Sequence, residues 1–146
     1  MEPEYLKLLR LFEEEGVEYL IIGGFAVIAH GYPRFTNDLD LLIRATLENG
    51  QRAVRALERF GYAAGEFEPQ DFTQIPAFMS FAAGNGWLDL MTAVPGIDFA
   101  ASAATGTVMT MEGVPLKFVD LASLRRNKQA TGRLKDLLDL ENLPPA

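Results

Sequence analysis

Two aspartates one residue apart, Asp38 and Asp40 in the run Asn37-Asp38-Leu39-Asp40-Leu41-Leu42-Ile43, are the groups in this chain best suited to chemistry. On a strand successive side chains alternate, so both carboxylates leave the same face. Held that close they repel, and each is driven toward its neutral form unless a cation lies between them. Oxygen ligands without histidine or cysteine select a hard cation, Mg²⁺ or Mn²⁺. The chain has no cysteine and a single histidine, His30, which excludes disulfides, thiolate catalysis and a zinc site built on several imidazoles. A third acid, Asp89, interrupts the apolar run Trp87-Leu88-Asp89-Leu90-Met91. A buried carboxylate there needs a partner or a metal; an exposed hairpin face is the alternative.

The complement to these acids is a set of anion-binding features. Gly23-Gly24 separates an apolar run from a short helix, and glycines there let backbone N–H groups approach an oxyanion. Arg34 and Thr36 stand just before the acid pair. Residues 125–135 hold five basic groups and no acid, in a chain of 13 basic and 20 acidic residues overall. A cationic strip on an acidic body suits a small anionic ligand, with a solvated helix face as the plainer reading. Lys128, Arg133 and Lys135 are its candidate ligand contacts, although Gly132 interrupts their spacing and Lys135 is placed to pair with Asp139 at i, i+4.

These residues need elements to position them. Tyr5, Leu8, Leu9 and Phe12 recur at helical spacing over 4–15, and Gly16 supplies the stop. Residues 17–22 and 37–43 read as strands, with a short helix over 25–30 between them. Thr46 caps a helix that runs to Phe60, and residues 62–76 read as loop. Hairpins are predicted for 78–82 with 87–91, around Gly84-Asn85-Gly86, and for 107–111 with 114–119. Asp98 reads as an N-cap for a short helix, and Asp120 caps another that reaches about Gln129. A last helix spans 133–143 before Pro144-Pro145. His30 reads as structural, and Phe78, Phe81 and Phe99 as core. The order predicts an α+β domain over 1–146: a mixed β-sheet flanked by helices, with the helices of 120–143 packed on it.

Composition narrows the function class. With 49% hydrophobic and 23% charged residues the chain is globular, neither disordered nor fibrous. No apolar run reaches the ~20 residues of a membrane span, and Glu2 and Glu4 stand where an export signal would be basic. A cytoplasmic location is the expectation. A net charge of −7 argues against non-specific coating of nucleic acid.

The pattern Gly23-Gly24, Gly31, Arg34, Thr36, Asp38-x-Asp40 resembles the minimal nucleotidyltransferases of the DNA polymerase β superfamily. The tail, with Leu121–Leu124, Lys128, Gly132-Arg133, Lys135-Asp136 and Asp139, is similar to the AbiEii-type proteins often found in toxin–antitoxin systems. The resemblance implies a polymerase-β-like fold, divalent metal on Asp38, Asp40 and Asp89, and an NTP substrate. It also implies nucleotide contacts from Gly23, Gly24, Arg34, Thr36, Lys128, Arg133 and Lys135. Many relatives carry serine at the second glycine position; Gly24 leaves only backbone donors there. The implied activity moves an NMP from an NTP to a hydroxyl of a protein, an RNA end such as that of tRNA, or a small molecule. A cognate toxin or antitoxin is the implied partner. A non-catalytic member of the same fold, binding nucleotide or a partner protein, is the second reading.

Overall fold

The computed structural model describes residues 1–146. Its first half alternates helix and strand: α1 (Pro3–Glu15), β1 (Tyr19–Ile22), α2 (Gly23–Ala29), β2 (Asp38–Ile43) and α3 (Leu47–Phe60). Two hairpins follow, β3 (Phe78–Ala83) with β4 (Gly86–Met91), and β5 (Thr107–Met111) with β6 (Val114–Phe118), separated by α4 (Phe99–Ala104). The chain closes with α5 (Leu121–Thr131) and α6 (Leu134–Asn142). Thr46, Asp98 and Asp120 each cap the following helix through a side-chain oxygen, as their residue types predict.

The six strands form one mixed sheet in the order β3-β4-β2-β1-β6-β5. β1 runs antiparallel to β2 and parallel to β6, and β2 runs parallel to β4. One sheet face is apolar without interruption: Leu39, Leu41, Ile43, Leu88 and Leu90 are fully buried. α1 covers this face, its Phe12 ring set edge-on to Tyr19 of β1. α3 packs beside α1, tied to it at the surface by Arg55 and Arg59 on Glu14 and Glu15. The opposite face carries the acids; α2 packs against β1 and β2, and α5 packs against α2.

Two expectations change. The glycines belong to the first turn of α2 rather than to a loop before it. Residues 62–76 hold a 3-10 turn at Pro69–Phe72, and Phe67 and Phe72 within them are buried core. The apolar pair has no periodic neighbours in sequence, so nothing local announces its burial.

Candidate active site

Parallel pairing of β2 with β4 sets Asp40 directly beside Asp89 and Asp38 beside Trp87. Cross-strand partners share a face, so all three acids look out from the same side of the sheet. Ser80 of β3 stands opposite Asp89 and its hydroxyl donates to Asp89 Oδ1 at 2.5 Å. Burial pushes the Asp40 carboxyl up, and the hydrogen bond and charge of Asp89 and the charge of Asp38 push it further, to about 7. Asp38 Oδ1 is buried without any hydrogen-bond partner.

These features fit a divalent cation. The donor set is all carboxylate oxygen, one buried oxygen is unpaired, and one carboxyl has its pKa raised by burial and by its two acid neighbours. The three do not form a finished cage, since no trio of potential ligands converges at metal-holding spacing. Asp40 and Asp89 are the close pair, and Asp38 sits one row along the strands.

The glycines do steric work before any phosphate is considered. Gly23 has φ of 65°, and a Cβ there would lie 2.0 Å from Asp40 Oδ2. A Cβ on Gly24 would lie 2.7 Å from Thr36 Oγ1. Only glycine lets α2 start hard against both side chains. Thr36 itself is not in the cleft of the acids. It lines a separate depression with Tyr5, Phe25 and Phe35, on the far side of Gly24.

The basic residues form one wall of the cleft, in which Lys128 is buried while Arg133 and Lys135 stay exposed. Lys128 Nζ lies 3.2 Å from Asp136 Oδ1 and 3.0 Å from Asp139 Oδ2, with the lysine side chain 6% exposed. Arg34 grips Asp139 with two nitrogens, at 2.8 and 3.0 Å. Arg133 Nε and Thr131 Oγ1 donate to Asp136 Oδ2 at 2.8 and 2.7 Å. Burial alone would raise the Asp136 pKa, but the hydrogen bonds from Arg133, Thr131 and Lys128 outweigh it and hold the group at about 2. The pairing of Lys135 with Asp139 suggested by their spacing does not form, because Asp139 is committed to Arg34 and Lys128. Arg125 and Arg126 serve structure, bonding the carbonyls of Leu140, Pro144 and Gly96. His30 likewise donates through Nε2 to the Val119 carbonyl, as a structural histidine should.

Floor and wall enclose a cleft of about 370 Å³. Of the site residues expected from sequence, Gly23, Gly24, Arg34, Asp38, Asp40, Asp89, Lys128, Arg133 and Lys135 all line it; Thr36 does not. Eight further lining residues were not anticipated as functional: the apolar Ile22, Phe78, Met91, Val94 and Pro95, and the polar Asn127, Thr131 and Asp136. Phe78 was expected in the core, but it lies on an edge strand on the acid face and is 64% exposed. Phe81, one step out of phase, packs inward against Phe67 and Tyr62. Phe99 is half-buried beneath the Arg44 guanidinium, 4.9 Å from ring centre to Cζ.

No protein-family model matches the sequence, and no curated protein matches it. Solved structures do. The lincosamide antibiotic adenylyltransferase LnuA, lincomycin-bound, superposes with a TM-score of 0.58 at 18% identity, over 97% of this chain and 95% of that one. ANT(2")-Ia, in complex with adenylyl-2"-tobramycin, gives a TM-score of 0.55 at 16% identity over 94% of this chain and 83% of that one. The AbiEii resemblance gains no support from these matches. At such identities the fold is what is shared: an α+β fold with a mixed six-stranded sheet and packed helices, as in those two structures.

Proposed function

We propose that the chain is a metal-dependent nucleotidyltransferase that moves an NMP from an NTP to a hydroxyl of a small molecule, releasing pyrophosphate. The observation that carries this reading is the single cleft in which Asp38, Asp40 and Asp89 face Arg34, Lys128, Arg133 and Lys135. Acids alone would repel a triphosphate, and cations alone would bind it without chemistry. A small-molecule acceptor is favoured because lincomycin is bound in one matched structure and adenylylated tobramycin in the other.

Mg²⁺ or Mn²⁺ on the three carboxylates would neutralise the triphosphate and make the acceptor hydroxyl more acidic. Backbone N–H groups of Gly23 and Gly24 have no intrahelical partner at the start of α2 and face the phosphates. Arg34, Arg133 and Lys135 balance the charge that builds on the departing pyrophosphate. Ser80 fixes Asp89 through Oδ1, and Asp89, hydrogen-bonded to Asp40, would receive the acceptor's hydroxyl proton. The acceptor oxygen bonds to the α-phosphorus as the bond to the pyrophosphate oxygen breaks.

The test is incubation of the protein and Mn²⁺ with each α-labelled NTP and a panel of hydroxylated small molecules that includes lincomycin and tobramycin. A labelled adduct that vanishes in Asp89→Asn is the expected result. No adduct with any acceptor, together with a melting temperature indifferent to metal and NTP, would overturn the reading.

A further inference from the structure

The cleft has a direction. β1 pairs antiparallel with β2 through Ile22 and Asp40, so Gly23 and Gly24 continue toward the Asp38 end. Asp40 and Asp89 form the middle row. Beyond them come Met91 and its cross-strand partner Phe78, then Val94 and Pro95. A triphosphate with its tail at Gly24 and Arg34 and its α-phosphate over Asp40 and Asp89 carries its nucleoside into that last stretch. The stretch is apolar, with an exposed aromatic ring, and Asn127 supplies its amide.

Asn127 is 8% exposed, and its Nδ2 donates to the Pro95 carbonyl at 2.8 Å. That carbonyl can only accept, which settles the orientation of the amide and turns Oδ1 away from it. Oδ1 takes no hydrogen bond from the chain and is not sealed from solvent, and Asn127 lines the cleft. The turn that holds the amide is tight. A Cβ on Gly96 would lie 2.8 Å from the Arg126 carbonyl and 2.9 Å from Asn127 N, so Pro95-Gly96 is pressed against the backbone of α5.

We infer that Asn127 Oδ1 reads the nucleobase and selects one that presents an exocyclic amine, the 6-amine of adenine or the 4-amine of cytosine. The inference rests on the nucleotidyltransferase reading and extends it to the choice of NTP. A fixed acceptor in an apolar slot rewards a donor and penalises a carbonyl oxygen, which would meet it lone pair to lone pair. Phe78 and Met91 supply a face for the base without discriminating among bases.

The ligand series is the cleaner test, because it needs no mutation. Calorimetric affinities of the wild-type protein with Mn²⁺ are compared for ATP, purine-riboside triphosphate and inosine triphosphate. ATP should bind about five- to tenfold tighter than purine-riboside triphosphate, the worth of one neutral hydrogen bond, and inosine triphosphate should bind weakest. In Asn127→Ala the three should converge on the weaker values while the metal response is kept. Equal affinities across the series in the wild-type protein overturn this inference and leave the nucleotidyltransferase reading standing. Cytidine triphosphate against uridine triphosphate tests the pyrimidine arm in the same way, and binding of none of the five overturns both readings.

Discussion

Asp40 shows how one residue's surroundings set its behaviour. Burial, and then Asp89 and Asp38, make its carboxyl harder to ionise, with a pKa raised to about 7. A raised acid stabilises the fold fully below its unfolded value, near ~4, and that contribution is lost as pH climbs through the folded value. Without metal, the melting temperature should therefore fall between about pH 4 and 7. The fall should flatten in Asp40→Asn and be reversed by Mg²⁺ or Mn²⁺ in the wild type; a flat wild-type profile would refute the crowding. Gly23 tests the same contact from the other side. Gly23→Ala places a Cβ on Asp40 Oδ2 at a left-handed φ, and the backbone strain alone costs about 1–2 kcal/mol. Urea titration should show that loss, and the metal-induced shift in melting temperature should disappear with it.

Helix α6 is turned inside out. Its buried residues are Asp136 and Asp139, while Leu134, Leu137 and Leu138 are exposed, Leu134 by 85%. It is thus held largely by ions: Asp136 and Asp139 on Lys128 of α5, and Asp139 on Arg34. Removing one partner of a buried pair strands the other charge, which is why such losses run to about 3–5 kcal/mol. Asp136→Ala should cost about 3 kcal/mol by urea unfolding, at the low end because Asp139 still faces Lys128. The pH sign is opposite to that of Asp40. A depressed acid stabilises above its unfolded value, and this support is lost as pH falls from near ~4 toward the folded value of about 2. Acid titration of wild type against Asp136→Asn, read by circular dichroism, should show that slope only in the wild type. Lys128→Ala should lower stability before it says anything about nucleotide. The surface pairs of α1 and α3 contribute little by comparison.

Taken whole, the protein presents an acidic surface and a cleft in which charges balance. Four cations, Arg34, Lys128, Arg133 and Lys135, and four carboxylates, Asp38, Asp40, Asp89 and Asp136, line it, inside a molecule of net charge −7. A triphosphate entering without metal gains nothing from such a cleft on balance. With a divalent ion on the floor the local field turns positive. ATP should therefore raise the melting temperature in Mn²⁺ and lose that effect on chelation, and added salt should weaken its capture. ATP stabilisation that survives chelator would contradict the assignment of the acids to a cation. No helix is long and apolar enough to cross a membrane.

Much of this was legible in sequence because it is local. Alternation put Asp38 and Asp40 on one face, the caps marked where α3, α4 and α5 begin, and the breaks at Gly84-Asn85-Gly86 and Glu112-Gly113 marked the hairpins. Each of these depends on residues within a few positions of one another, where periodicity and backbone preference operate. What was decided only in three dimensions depends on partners distant along the chain. Parallel pairing of β2 with β4 made Asp40 and Asp89 neighbours across 49 positions, and no spacing rule encodes strand order. Thr36 precedes the acid pair by two residues, yet the entry of β2 sends it behind Gly24. Lys128 was expected to contact the nucleotide, and its burial against Asp136 and Asp139 depends on how α6 docks on α5. Amphipathic reasoning assigns apolar residues to the core, and α6 reverses that assignment: a buried ion pair stabilises only when both partners arrive together, and their meeting is a property of the folded arrangement.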